Sequence, residues 1–181
     1  MKNHQFNKAL AFALVCMLTS TMMFAQDKST RPSPPATATG KIGAATVTID
    51  YSSPSVKGRK VWDPSGTIAP YGKAWRAGAN EPTTFTTDKE VTIEGKKLPA
   101  GKYQLYAIPG EKEWTWVFNS KIPGWGIKRT GEVDTDPSGD VLKVVVKPAK
   151  SASMNEKLVY EVNAKGFTIK WENVESSVSV K

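Results

Sequence analysis

Leu158-Val159-Tyr160-Glu161-Val162-Asn163-Ala164-Lys165-Gly166-Phe167-Thr168-Ile169-Lys170-Trp171-Glu172 reads as two strands and the turn between them. Leu158, Tyr160 and Val162 recur at every second position, with Glu161 and Asn163 opposed to them. Phe167, Ile169 and Trp171 repeat the pattern against Thr168, Lys170 and Glu172. A period of two puts each set on one face of an extended chain, and the β-branched and aromatic residues suit a half-buried pleated surface. Ala164-Lys165-Gly166 is short enough to be a hairpin turn.

The same rhythm extends outward in both directions. Ala45, Val47, Ile49 and Tyr51 share a face opposite Thr46, Thr48 and Asp50. Val91 and Ile93 flank Thr92. Tyr103, Leu105 and Ala107 oppose Gln104, Tyr106 and Ile108. Trp114, Trp116 and Phe118 oppose Thr115 and Val117. Leu142, Val144 and Val146 alternate with Lys143 and Lys147, and Val178 and Val180 close the series. Glu94-Gly95-Lys96 and Pro109-Gly110-Glu111 supply further turns. No segment carries an amphipathic helix of ten residues or more. About eight short strands joined by tight turns imply an all-β fold: a single antiparallel β-sandwich, jelly-roll-like, over residues 41–181. Trp114, Trp116 and Phe118 are read as core, the alternative being an exposed aromatic strip for carbohydrate; Trp171 is read as core. Two segments break the rhythm, Ser52–Pro82 and Asn119–Asp140. Long irregular loops on a rigid sandwich are where a site is built.

The chain has 181 residues, 25 Lys and Arg against 17 Asp and Glu, and a formal charge of +8. Lys2 and Lys8 precede an apolar run, Ala9–Leu18, and Ala25 precedes polar Gln26. This is the pattern of a secretory signal peptide over residues 1–25, cleaved after Ala25, and it predicts a periplasmic or secreted protein with no membrane span after cleavage. Residues 26–40, with Pro32, Pro34 and Pro35, read as a flexible Ser/Thr/Pro-rich lead-in. The one Cys and the one His, Cys16 and His4, fall within the signal. Cleavage leaves no thiol nucleophile, no imidazole base, no disulfide and no His or Cys metal site, so neither a cofactor nor a metal is expected. The remaining positive excess is scattered as single lysines, with doublets only at Arg59-Lys60, Lys96-Lys97 and Lys128-Arg129, which argues against a nucleic-acid groove.

The densest chemistry lies in Pro70-Tyr71-Gly72-Lys73-Ala74-Trp75-Arg76-Ala77-Gly78-Ala79-Asn80-Glu81, with Trp62 upstream. Arg76 offers a planar fork, Asn80 a donor pair and an acceptor, and Trp62, Tyr71 and Trp75 flat apolar faces. Trp125, between two glycines in the second loop, is either a platform or a plug. These residues, with Glu81, form the expected ligand-binding set. The competing reading is structural: Arg76 pairs with Glu81 to lock the loop, and Trp75 caps the core. Asp134-Thr135-Asp136-Pro137-Ser138-Gly139-Asp140 resembles half a calcium loop, but Val145 stands where the bidentate Glu belongs, so a polar turn is expected. For hydrolysis, the pair to consider is Glu81 with Asp63.

The run from Gly58-Arg59 to Trp62, then Pro70–Glu81, Gly95 with Leu98-Pro99-Ala100-Gly101-Lys102-Tyr103, and Ile108-Pro109 through Glu113-Trp114-Thr115 to Asn119 resembles the bacterial family catalogued as domain of unknown function 2911. Its members are mostly secreted or periplasmic. The resemblance covers nearly all of the chain beyond the signal, with Trp75-Arg76-Ala77-Gly78-Ala79-Asn80-Glu81 as its most specific part, and it implies export and a β-rich fold but no activity. The function expected from the residues is non-enzymatic binding of a glycan, a peptide or another cell-envelope ligand. The alternatives are a carboxylate-dependent glycan hydrolase using Glu81 and a purely structural or interaction domain.

Overall fold

The computed structural model describes residues 27–181, Thr67 excepted; the signal-peptide reading of residues 1–25 lies outside them. Ten strands follow in order: β1 Pro35–Ile42, β2 Ala45–Ser52, β3 Thr84–Thr87, β4 Val91–Ile93, β5 Lys96–Leu98, β6 Gly101–Ile108, β7 Trp114–Asn119, β8 Asp140–Val146, β9 Ala149–Asn163 and β10 Gly166–Ser179. The first layer is a six-stranded antiparallel sheet ordered β1-β2-β3-β6-β7-β8. The long β9–β10 hairpin forms the second layer. The short β4–β5 hairpin extends it, because Ile93 bridges Val180 and Thr92 exchanges two backbone hydrogen bonds with Lys181. No helix of the described residues is long and apolar enough to cross a membrane.

The two layers enclose one aromatic core. Phe85 meets Phe118 edge-on at 5.1 Å between ring centres within the first sheet. Trp116 meets Phe167 at 5.5 Å across the layers. Trp114, Trp116, Phe118 and Trp171 are all buried, as their alternation predicts. The chain is an antiparallel, sandwich-like all-β fold.

Two features depart from the sequence reading. The stretch read as lead-in already becomes β1 at Pro35. Pro35 and Pro34 suit an edge position, and the Ala-Thr alternation that follows pairs residue by residue with β2 from Pro35↔Ser52 to Ile42↔Ala45. The second concerns the outer face of the six-stranded sheet, which in a two-layer sandwich would meet water. Here Gln104, Tyr106, Val117 and Asn119 on that face are buried, because the irregular segment after β7 folds back over it. Gln104 Nε2 donates to the Asp134 carbonyl at 2.8 Å, and Asn119 Nδ2 donates to the Asp136 carbonyl at 2.7 Å. Register aligns Thr37, Asp50, Thr84, Gln104, Asn119 and Asp140 as one polar row across all six strands. Asp140 ends the row. It accepts from Asn119 at 2.7 Å and from Tyr106 at 3.0 Å, and pairs with Lys143 at 2.9 Å. Burial and this carboxylate push the Tyr106 phenol up to about 12.

Candidate functional site

Trp75 fixes the first irregular loop. Its backbone exchanges hydrogen bonds with Ala107 at 2.7 and 3.0 Å, extending β6 on the side where β3 has ended. Its indole turns into the core and stacks on Trp171 at 5.9 Å with only 14° between ring planes. Trp62 closes the cluster from outside. It lies 4.7 Å from Trp114, 5.3 Å from Trp75 and 5.8 Å from Trp171, and its Nε1 donates to the Trp171 carbonyl at 3.3 Å. Aromatic pairs in these tilted and edge-on arrangements gain about 0.5–1.5 kcal/mol each beyond their area burial, so the four indoles are one rigid block.

One side of that block faces a groove of about 270 Å³. Trp62, Tyr71 and Trp114 form its aromatic wall, with Pro148 and Val174 beside them; Glu111, Lys150 and Asn173 supply polar groups. Tyr71 is set there because the next residue, Gly72, donates to the Pro109 carbonyl at 2.7 Å, tying the loop to the β6–β7 turn. Burial, with Glu111, Glu172 and Asp63 nearby, holds the Tyr71 phenol above its ordinary value of 10. It is therefore neutral at physiological pH and can both donate and accept. Within the same cluster the buried Trp171 Nε1 has no hydrogen-bond partner among the described residues.

The remaining expected residues are distributed differently. Trp75 is buried behind the groove rather than lining it. Between Trp75 and Thr83 the chain bulges out as a loop, with Ala77 at φ 55° and Asn80 at φ 56°. Left-handed backbone costs an alanine about 1 kcal/mol, and neighbours hold it there: the Ala77 carbonyl accepts from the buried Tyr160 hydroxyl at 2.8 Å and from Thr83 Oγ1 at 3.1 Å. Asn80 Nδ2 donates to the Ser33 carbonyl at 2.8 Å. Glu81 pairs with Lys28 at 2.8 Å and with Arg31 at 2.9 Å, and these cations hold its carboxyl down at about 2. At neutral pH it has no proton to donate, as a general acid must. Asp63 accepts from Ser65 N and Oγ, both at 2.8 Å, which lowers it too. Glu81 and Asp63 share no hydrogen-bonding partner among the described residues. Arg76 has no carboxylate partner among the described residues; its Nε donates to the Gly78 carbonyl at 3.3 Å. Trp125 is exposed, at 44%.

A second cavity, of about 510 Å³, opens between the limbs of the Asn119–Asp140 segment and is lined by Lys121–Pro123, Lys128 and Asp134–Pro137. Asp136 closes a turn there, accepting from Ser138 N at 3.0 Å and Ser138 Oγ at 2.8 Å and pairing with Lys121. Residues 137–139 form one 3₁₀ turn, and among the described residues no three Asp, Glu, His or Cys side chains are grouped to hold a metal ion.

Sequence reasoning missed Glu111, Lys150 and Asn173. They come from the β6–β7 turn, the start of β9 and an irregular stretch of β10, and no spacing in the chain connects them. Trp114, which reads as core with an exposed aromatic strip as the alternative, is buried in the core and also borders the groove.

Residues 33–180 match the family described as "Protein of unknown function (DUF2911)". The chain belongs to that family. No curated protein and no solved structure matches it. The stretches on which the resemblance rests have clear work in this DUF2911 fold. Trp75–Glu81 builds the bulged loop and its anchors, and in Leu98–Tyr103 the Tyr103 hydroxyl donates back to the Pro99 carbonyl at 2.9 Å.

Proposed function

We propose that this DUF2911 protein is an exported, non-enzymatic binding protein whose aromatic groove receives one ring of a cell-envelope glycan. The groove itself carries the reading. Trp62 and Tyr71 offer apolar faces of the kind on which a pyranose ring stacks, while Glu111, Lys150 and Asn173 offer a carboxylate, an ammonium and an amide to surrounding hydroxyls. The volume lies just below the roughly 300 Å³ at which drug-sized pockets begin, so it suits a single ring better than an extended oligosaccharide. Export is supported by the basic start and short apolar run of residues 1–25. The lowered carboxyls of Glu81 and Asp63 favour binding over acid-catalysed hydrolysis.

Calorimetric titration with soluble cell-wall glycan fragments, and separately with their stem peptides, tests this. The expected result is saturable glycan binding that Tyr71→Ala weakens about tenfold or more while the protein stays folded, with a smaller loss in Lys150→Ala. Glycan binding unaffected by both substitutions, or binding of the peptides alone, refutes the assignment.

A further inference from the structure

The bulged loop holds a cation that has no counter-charge among the described residues. Arg76 is half-buried, yet among the described residues no carboxylate lies within ion-pair distance of it. Its one hydrogen bond among the described residues is the 3.3 Å contact from Nε to the Gly78 carbonyl. The carboxylate closest in sequence, Glu81, is taken by Lys28 and Arg31. Arginine removed from water is ordinarily paired, because a desolvated charge without a counter-charge is costly. Burial alone lowers the Arg76 guanidinium from its ordinary value, with no compensating charge.

The arginine is also held in place. Gly126 seats directly on it: a Cβ there would stand 2.7 Å from Arg76 Cδ and 2.5 Å from the Asn80 carbonyl, and Gly126 N donates to that carbonyl at 3.1 Å. The stem is thus gripped by the second loop while both terminal guanidinium nitrogens stay unspent. The next residue back, Trp125, exposes its indole to solvent. Trp75 bridges Ala107 and faces the core, so Arg76 departs toward the outer face of the sheet. On that face Thr84, opposite Gln104 in register, keeps a buried hydroxyl without a partner among the described residues.

We propose that Arg76 is an anion-binding residue that receives the carboxylate of an acidic sugar, with Trp125 beside it. A guanidinium fork matches a carboxylate with two parallel hydrogen bonds. One unpaired positive charge balances one negative charge. A phosphate dianion would bring a second negative charge that the single Arg76 guanidinium does not balance. The site does not depend on the Trp62–Tyr71 groove, which opens on the other side of Trp75.

The test uses glucuronate as the probe, with glucose as its neutral counterpart and inorganic phosphate as the competing anion. Binding is followed by NMR at the Arg76 Nε–H and Trp125 indole N–H resonances. Glucuronate is expected to shift both saturably, glucose neither, and phosphate more weakly. Arg76→Gln should weaken glucuronate binding about tenfold or more, and Tyr71→Ala should leave it unchanged. Arg76→Lys keeps the charge and the stem but loses the fork. It should also bind several-fold more weakly, and it decides the matter if Arg76→Gln does not fold. Absence of shifts from glucuronate, undiminished affinity in the folded Arg76 variants, or tighter binding of phosphate overturns the proposal.

Discussion

Glu81→Gln removes the negative charge that fastens the segment before β1 to the bulged loop. The carboxyl falls from an ordinary 4.5 to about 2 in the folded chain. Taken at face value, at 1.36 kcal/mol per pH unit, that shift sets a ceiling of roughly 3 kcal/mol. Exposure reduces it. The Glu81 side chain is one-third exposed and that of Lys28 is half exposed, and such pairs are worth about 0–1 kcal/mol. Arg31 is better covered and reaches both carboxylate oxygens, at 2.9 and 3.1 Å, so its share is about 1 kcal/mol. The expected loss in Glu81→Gln is therefore about 1–2 kcal/mol at pH 7, read from urea unfolding with an unchanged m-value. The pH dependence has a fixed sign. The folded pKa is depressed, so the stabilisation is fully present above about 4.5 and is lost as pH falls toward about 2. Wild type and Glu81→Gln should converge across that window. Arg31→Ala and Glu81→Gln should be non-additive, and trypsin should cut after Lys28 faster in either variant. A deficit in Glu81→Gln that persists undiminished at pH 2, or additive losses in the double variant, refutes the ion-pair clamp.

Two further substitutions probe the same loop. Tyr160→Phe deletes the buried hydroxyl bonded to the Ala77 carbonyl, but Thr83 Oγ1 still serves that carbonyl; the loss should stay near 1 kcal/mol by urea unfolding, and a loss above about 3 would mean the oxygen is left unpaired. Gly126→Ala drives a methyl group against the Asn80 carbonyl and the Arg76 stem. It should cost about 1–3 kcal/mol in the same assay and shift the fluorescence of exposed Trp125, whereas neutral behaviour would show that the two loops do not seat on each other.

The strands were legible because alternation survives wherever one face is buried. Phe167, Ile169 and Trp171 point inward in step, as do Trp114, Trp116 and Phe118. What alternation could not show was the covering of the other face. Gln104 reads as an outward-facing polar residue and Asn119 as the start of an irregular segment, yet both are buried, because carbonyls of Asp134 and Asp136 replace water at their amides. Covering by backbone leaves no hydrophobic signature in either partner. The site was legible in composition but not in grouping. Trp62, Tyr71, Trp75, Arg76, Asn80 and Glu81 were picked out together, and the structure gives Trp62 and Tyr71 to a groove, Trp75 to the core, and Asn80 and Glu81 to the segment before β1. A loop that reverses direction at left-handed Ala77 and Asn80 carries no period, so adjacent side chains serve opposite sides of the molecule.

That division explains why so polar a loop is tolerated at the open end of a β-sandwich. Trp75 is bonded to the edge of β6 through its backbone and to three other indoles through its side chain. It therefore stays fixed whichever way the chain turns after it. The bulge can then spend its polar groups outward. Ala77 takes the two hydroxyls that pin it, Asn80 and Glu81 hold the segment leading into β1, and Gly126 lies against the arginine stem. Between Trp75 and Thr83, Asn80 and Glu81 have protein partners, whereas among the described residues the terminal nitrogens of Arg76 have none. Arg76 has a well-held stem and an uncommitted fork, and a side chain fixed at its base and free at its tip is positioned for something the chain itself does not supply.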